Sequence, residues 1–151
     1  MGNRTAIPMQ VRRLAPKDRE RWLTLFNEYI CFYDEHVDPA VVSLTFDRLV
    51  AGQELVGLVA VDASDSPLGL ANLVFHPATW TATCHCYLED LYVDPAARGR
   101  GVGRCLIMAS YAEADRRGAT RTYWFTAADN HEARRLYDRV GTLSPFVQYR
   151  R

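Results

Sequence analysis

The chain has 151 residues, enough for one domain that buries roughly two thirds of the surface its unfolded form exposes. Its 18 basic and 18 acidic residues give a formal net charge of zero, so no whole-molecule field draws the protein to nucleic acid or to a membrane. We therefore expect a single domain over residues 1–151, with neither nucleic acid nor membrane as a partner.

The sequence also carries no sign of export. No apolar run approaches the ~20 residues of a membrane span, and Met1–Arg4 lacks the apolar segment of a signal peptide. The triplet Cys84-His85-Cys86 has no second ligand pair at zinc-site spacing, so we expect no metal. We predict a cytoplasmic protein with free buried thiols at all four cysteines: Cys31, Cys84, Cys86 and Cys105.

The chain opens with a strand and two helices. Met9–Leu14 alternates as a strand does, and a helix follows from Ala15–Asp18 to about Tyr33. A second helix runs from Pro39 to Gly52, where glycine ends it. The apolar positions recur with the helical period and predict two buried faces: Trp22, Leu25, Phe26 and Tyr29 in the first helix, and Val42, Phe46 and Leu49 in the second.

Strands dominate the middle of the chain. Leu55–Asp62 and Leu68–Phe75 are apolar runs separated by a turn-forming cluster, which predicts a hairpin. A longer strand is expected from about Thr83 to Val93.

The last third alternates between helices and strands. We predict a helix over Val102–Arg117, a strand over Arg121–Thr126, a short helix capped by Asn130 and a final strand over Phe146–Tyr149. The buried stripe of the first of these helices is expected at Val102, Cys105, Leu106, Ala109 and Ala112.

The hexapeptide Arg98–Gly103 follows the long strand and leads directly into a helix. Three glycines allow a tight turn with exposed N–H groups, and the helix start adds unpaired amides, so a diphosphate would fit there. A Walker loop would need Gly-Lys-Ser/Thr at the helix start, where this chain has Gly103-Arg104-Cys105. A dinucleotide fingerprint would need a small residue at Arg104, and that interpretation also fails.

The spacing R-x-x-G-x-G, supplied by Arg98, Gly101 and Gly103, resembles the coenzyme A pyrophosphate loop of the GCN5-related N-acetyltransferases (GNAT). Upstream, Tyr87–Pro95 is similar to the diamine and spermidine acetyltransferase branch of that family. Downstream, the resemblance continues through Asn130, Ala133, Leu136, Tyr137 and Gly141. It covers roughly residues 84–141.

The resemblance implies an α/β fold: a GNAT-like mixed, mostly antiparallel sheet of six to seven strands, with helices on both faces. It implies acetyl-CoA as co-substrate, and we include a homodimer among the expectations. The residues expected to bind the cofactor are Leu91, Tyr92, Val93, Arg98, Gly99, Arg100, Gly101, Val102, Gly103, Arg104 and Asn130.

Acetyl transfer to an amine requires a base, because an alkylammonium with a pKa of about 10.4 needs about 4.6 kcal/mol to lose its proton at pH 7. Strand alternation puts Glu89 on one face with Tyr87, Leu91 and Val93 and turns Asp90 the other way. Apolar neighbours would raise the pKa of Glu89. The resemblance implies that a carboxylate at Glu89 removes the proton and helps to bind the acceptor; an exposed, structural carboxylate is the alternative.

Two further catalytic roles follow. Backbone N–H groups of Leu91 to Val93, on a strand that stops pairing there, would hold the oxyanion. The resemblance implies that Tyr137 protonates the departing thiolate and that Asn130 bonds the pantetheine arm. Periodicity alone allows a core tyrosine at 137, and Asn130 also suits a helix cap.

The acceptor site is expected near Tyr33 and Glu35, between the first two helices, together with Glu89 and Asp90. The carboxylates of the segment Tyr33–Asp38 would suit a polycation, although a solvated acidic loop explains them equally. Trp80 is a further candidate to line the acceptor site. We therefore expect transfer to a polyamine- or diamine-like amine in a ternary complex. A protein amine as acceptor, and a non-catalytic acyl-CoA-binding module, remain the alternatives.

Overall fold

The computed structural model describes residues 9–151. The strands are β1 (Gln10–Arg13), β2 (Leu55–Val61), β3 (Pro67–His76), β4 (Cys84–Val93) and β5 (Ala119–Tyr123). The helices are α1 (Arg19–Phe32), α2 (Pro39–Ala51), α3 (Val102–Arg116) and α4 (His131–Val140). Two single 3-10 turns, Pro16–Asp18 and Pro95–Ala97, precede α1 and follow β4.

The strands form one mixed sheet in chain order, β1-β2-β3-β4-β5. Strands β1 to β4 pair antiparallel with one another, and β5 pairs parallel with β4. The α/β class and the mostly antiparallel sheet are therefore confirmed. The number of strands is corrected, because residues 9–151 contain five, and the predicted strand over Phe146–Tyr149 does not form.

Helices cover both faces of the sheet, as predicted. On one face, α1 and α2 pack Trp22, Leu25, Phe46 and Leu49 against the strands, and all four side chains are buried. Each such burial stabilises the fold by about 1.5–3 kcal/mol relative to an exposed side chain. On the other face α3 packs on the sheet, and the partly buried side chains of α4 lie against the same core.

The buried face of α3 differs from the predicted stripe. Val102 and Leu106 are buried as expected, whereas Cys105 and Ala109 are only half-buried and Ala112 is exposed. The buried positions continue instead along Ile107, Ser110, Glu113 and Ala114.

The spacing of apolar residues did not identify this face, because two of its buried positions, Ser110 and Glu113, are polar and hydrogen-bonded. The Ser110 hydroxyl donates to the Leu106 carbonyl at 2.7 Å. The Glu113 carboxylate accepts from Arg13 at 2.8 Å and from Arg117 at 2.9 Å. Buried polar groups with partners are tolerated in a core, so hydrophobicity alone does not mark this face.

The thiols are all free, but only Cys86 is fully buried, and Cys31 is exposed. In residues 9–151 no helix is long and apolar enough to cross a membrane.

Candidate active site

The edge of β4 opens where β5 ends. Pairing between the two strands reaches only Tyr87 and Tyr123, and β4 then continues to Val93 with no strand of residues 9–151 beside it. On its other side β4 pairs with β3 up to Val93. The open edge therefore offers unpaired backbone groups to a ligand that lies along it.

A β-bulge interrupts β4 at Glu89. Leu88 pairs with Leu73 and Asp90 pairs with Asn72, so Glu89 is the extra residue between two consecutive pairs. The bulge breaks the alternation on which our assignment of faces relied. Glu89 is exposed, and the following residue, Asp90, is the half-buried carboxylate.

Asp90 lies in a polar contact inside the sheet. The Asn72 amide donates to its carboxylate at 3.0 Å, and Asn72 is itself buried. Burial raises the pKa of Asp90 to about 6, and the charge of Glu89 adds to the rise. The bonds from Asn72 and Tyr29 act in the opposite direction. The raised pKa of Asp90 lies close to the pH at which a general base works best.

The glycine loop has the geometry of an anion cradle. Gly99 and Gly101 have φ angles of 74° and 83°, the left-handed region that favours glycine. No atom lies within 4 Å of a Cβ placed at either residue, so the space above the loop is open. At Gly103 a Cβ would lie 3.2 Å from Leu136 Cδ2, which shows how closely α4 packs on the first turn of α3.

The start of α3 leaves its first amides free. Gly101 is the N-cap and offers no side-chain bond, and the first intrahelical bond is donated by Cys105 to the Gly101 carbonyl at 3.0 Å. The N–H groups of Val102, Gly103 and Arg104 therefore precede the helical ladder. Together with the helix dipole they favour a phosphate at this point.

The arginines of the loop divide into two kinds. Arg98 Nε donates to the Val93 carbonyl at 3.1 Å, and its guanidinium lies 5.5 Å from the centre of the Tyr92 ring. It therefore braces the loop against β4. Arg100 and Arg104 are exposed and make no ion pair or side-chain hydrogen bond within residues 9–151, so they are free to meet phosphates.

Tyr92 does not face the open edge. Asp94 N–H bonds to the Leu68 carbonyl at 2.8 Å, and the alternation of an antiparallel ladder then directs the backbone groups of Tyr92 toward β3 and those of Leu91 and Val93 outward. The Tyr92 side chain is buried on the α1 face, where its hydroxyl donates to Glu28 at 3.3 Å. Of the three expected backbone donors, Leu91 and Val93 remain.

A small, open cleft lies beside the bulge. Its walls come from α1, β4, α4 and the segment after β5: Tyr29, Tyr33, Leu88, Glu89, Leu91, Trp124, Phe125 and Tyr137. Burial raises the pKa of Tyr137 to about 12, and Tyr33 adds to the rise. The Tyr137 phenol thus keeps its proton at neutral pH and can donate it.

Asn130 is engaged in local structure. Its side-chain oxygen accepts from Ala133 N–H at 3.4 Å, and its amide donates to Thr126 at 3.2 Å. The capping role allowed by the sequence is therefore the role that the structure shows, and its binding of a pantetheine arm stays a prediction.

The acidic segment between α1 and α2 is only partly near the cleft. Tyr33 lines it, whereas Glu35 is exposed and is not among the lining residues. Asp38 accepts from Ala40 N–H at 2.8 Å and caps α2. Trp80 is exposed and outside the cleft lining.

Sequence reasoning missed Asn72, the buried partner of Asp90. Its signal was present, because Asn72 is the one polar residue in the apolar run Leu68–Phe75. Trp124 was missed as well; it lies 5.5 Å from Tyr137, measured between ring centres, and no local pattern marks it. No three metal-ligating side chains of residues 9–151 lie close enough together to hold an ion.

Residues 14–142 match the model of the acetyltransferase (GNAT) family. A curated relative, the D-amino-acid N-acetyltransferase HPA3 of Saccharomyces cerevisiae, is 36% identical over 143 residues, which span 93% of this chain and 89% of the relative.

Two solved structures share the fold. A probable acetyltransferase superposes with a TM-score of 0.82 at 23% identity, covering 93% of this chain and 95% of that one. The second is AAC(6')-Iy in complex with a bisubstrate analogue, CoA-S-monomethyl-acetylneamine. It gives a TM-score of 0.78 at 20% identity and covers 95% of this chain and 98% of its own.

Proposed function

The chain belongs to the GNAT family and is an N-acetyltransferase, and from that premise we propose that it transfers acetyl from acetyl-CoA to a primary amine of a small cationic acceptor. Attack is direct, within a ternary complex. One observation supports the proposal most: the open edge of β4 joins a glycine anion cradle at one end to a cleft that is lined by Glu89 and Tyr137 at the other.

We assign the cofactor to the open edge and the loop. The free amides of Val102, Gly103 and Arg104, with Arg100, would bind the pyrophosphate, and left-handed Gly99 and Gly101 keep side chains away from it. Arg98 would hold the loop in place rather than contact phosphate, because its Nε is bonded to Val93.

The carboxylates of β4 would bind and deprotonate the acceptor. Glu89 reaches the cleft from the bulge, and we retain it as the anchor or base for the attacking amine. Asp90 is the second candidate for the base, because burial raises its pKa to about 6. A base with that pKa is ionised at pH 7 and still accepts a proton readily.

As the amine nitrogen bonds to the thioester carbon, the carbonyl oxygen gains negative charge that the outward N–H groups of Leu91 and Val93 would stabilise. The carbon–sulfur bond then breaks, and the thiolate takes the proton of Tyr137. Tyr137 regains a proton from solvent, and the proton of the amine leaves through the carboxylates. These steps balance without a metal.

A small amine with a second positive charge suits a cleft that is lined by Glu89, with the carboxylate of Asp90 next to it in the chain. A second candidate acceptor is an amino acid, favoured by the yeast relative, which is named for transfer to D-amino acids. A protein amine is the remaining enzymatic alternative.

A panel of amines tests the acceptor, with CoA release as the readout. We expect diamines and polyamines to react faster than monoamines that carry no second charge. The apparent KM for the diamines and polyamines should rise with salt, because salt screens the charge pairing. Equal rates for monoamines and diamines at low and high salt would contradict the cationic acceptor. Faster turnover of D-amino acids would favour the second candidate, and CoA binding without turnover of any amine would favour a non-catalytic module.

We further propose that the enzyme acts as a homodimer in the cytoplasm. The four free thiols suit a reducing compartment. Within residues 9–151 no strand pairs with the outer edge of β5, and such an edge suits association with a second copy.

A further inference from the structure

Asp90 is separated from the acceptor cleft. Its side chain is half-buried, and the residues that line the cleft include Glu89 but not Asp90. Burial nevertheless raises the pKa of Asp90 to about 6, in the range of a general base. A base that does not reach the acceptor acts on it only if another group carries the proton between them.

Tyr29 connects Asp90 to the cleft. It lies in the last turn of α1, and its side chain forms part of the cleft wall together with Glu89. Its phenol also hydrogen-bonds to the Asp90 carboxylate. Tyr29 therefore contacts the cleft on one side and the buried carboxylate on the other.

Packing holds the Tyr29 ring in place. The ring centre of Phe26 lies 6.0 Å from that of Tyr29, with the two planes nearly parallel at 18°. The rings of Tyr33 and Tyr92 meet it edge-on, at 5.1 Å and 5.9 Å between centres. A side chain fixed by three aromatic neighbours keeps its hydroxyl in one position before the acceptor binds.

Tyr29 cannot act as the base itself. Burial and the charge of Asp90 raise the pKa of its phenol above the ordinary value, so the hydroxyl keeps its proton at neutral pH. A protonated phenol has one O–H to donate and an oxygen that accepts. It can therefore give a proton to Asp90 only as it receives another from the cleft.

Asn72 offers a partner to each protonation state of Asp90. Its Nδ2 donates to the carboxylate at 3.0 Å. The Oδ1 of the same amide is buried and accepts no hydrogen bond within residues 9–151. A buried acceptor without a donor is costly, and a carboxylic acid has the O–H that this oxygen lacks. Protonation of Asp90 would supply the missing donor.

We propose that Tyr29 relays a proton from the acceptor amine to Asp90. An N–H bond of the protonated acceptor breaks as its proton joins the Tyr29 oxygen, and the Tyr29 O–H bond breaks as that proton joins the carboxylate. Tyr29 ends unchanged, Asp90 ends as a neutral acid beside Asn72, and the freed electron pair of the nitrogen attacks the thioester carbon. Asp90 then returns its proton to solvent. The relay rests on the proposed acetyl transfer and leaves Glu89 as the anchor of the amine.

The groups around Asp90 determine the direction of each expected change. Glu89 and Tyr87 face it from β4, Tyr29 from α1 and the uncharged Asn72 from β3. The charge of Glu89 raises the pKa of Asp90, whereas the bonds from Asn72 and Tyr29 lower it. Loss of the Tyr29 hydroxyl should therefore raise the pKa of Asp90 above 6.

Turnover of variants of the full chain tests the relay. Tyr29→Phe keeps the packed ring and should lower kcat about 100-fold, with the KM of the acceptor and the affinity for CoA unchanged. Asp90→Asn should lower kcat similarly. Because the two groups act in series, the double variant should be no slower than the slower single variant. Tyr123→Phe, whose hydroxyl bonds to His76 outside the cleft, is the matched control and should keep the natural kcat.

Titration of Asp90 by carboxyl NMR gives a readout that does not depend on turnover. The pKa of Asp90 should rise in Tyr29→Phe and stay at its natural value in Tyr123→Phe. An unchanged pKa in Tyr29→Phe overturns the relay, as does a natural kcat in that variant or a double variant in which the two losses multiply. In an active natural chain these results contradict the relay alone. A natural chain that acetylates no amine contradicts the proposed function as well.

Discussion

The Asn72 side chain donates a 3.0 Å hydrogen bond to the Asp90 carboxylate across two neighbouring strands. The two residues are also register partners, because the bulge at Glu89 moves the later half of β4 by one position. One extra residue in a strand thus decides which of two adjacent carboxylates is buried beside the cleft.

The first prediction separates the two carboxylates by pH dependence. A base must be ionised to act, and the pKa of Asp90 is raised to about 6, so kcat/KM should rise with pH through about 6. We expect Asp90→Asn to remove this rise of kcat/KM with pH, the acidic limb of the profile. Glu89→Gln should raise KM and leave the acidic limb in place. Loss of the limb in Glu89→Gln alone would assign the proton transfer to Glu89.

The second prediction concerns stability. The folded-state pKa of Asp90 lies above the ordinary value of 3.8, so the native state binds its proton more tightly than the unfolded state does. The stabilising contribution is present below about pH 4 and is lost as pH rises through 6, at a cost of about 2–3 kcal/mol. Urea unfolding should therefore show Asp90→Asn gaining relative stability between pH 4 and pH 7.5. A difference that stays constant over this range would contradict the raised pKa.

The third prediction tests the proton donor. The Tyr137 pKa of about 12 keeps the phenol protonated, and Tyr137→Phe should lower kcat about 100-fold while the affinity for CoA is unchanged. Tyr123→Phe, whose hydroxyl bonds to His76 outside the cleft, is the control. If Tyr137→Phe kept full activity, Tyr137 would not be the proton donor and would serve only in packing.

The fourth prediction tests the anion cradle by calorimetry with CoA. Arg104 lies exposed in the first turn of α3, and Arg104→Glu should weaken binding about tenfold, or about 1.4 kcal/mol, most strongly at low salt. Arg48→Glu makes the same charge change at an exposed position of α2 and should bind CoA normally. Equal affinities of the two variants would exclude the loop as the phosphate site.

The order of elements could be predicted from the sequence because each buried face has its own period. Trp22, Leu25 and Phe26 in α1 and Val42, Phe46 and Leu49 in α2 are buried as their spacing indicates. The glycine loop was also recognisable, since positive φ angles at Gly99 and Gly101 are required by a local turn and favour one residue type.

Two features could not be predicted, because they depend on pairing between distant residues. The bulge at Glu89 leaves no mark in the run Tyr87–Val93, whose composition is that of a regular strand. The strand expected at Phe146–Tyr149 has the right residues but no neighbour within the described chain. Strand propensity indicates that a segment can form a strand, but it does not show whether a neighbouring strand is there to pair with it.

The close contact at Gly103 links the two ends of the site. Leu136, whose Cδ2 would lie 3.2 Å from a Cβ at position 103, immediately precedes Tyr137 on α4. Because Gly103 has no side chain, α4 can pack closely on α3, and this contact sets the distance between the glycine loop and Tyr137. An alanine at position 103 would displace α4 by a few tenths of an ångström. The residue whose N–H we assign to the pyrophosphate therefore also fixes the position of the proton donor.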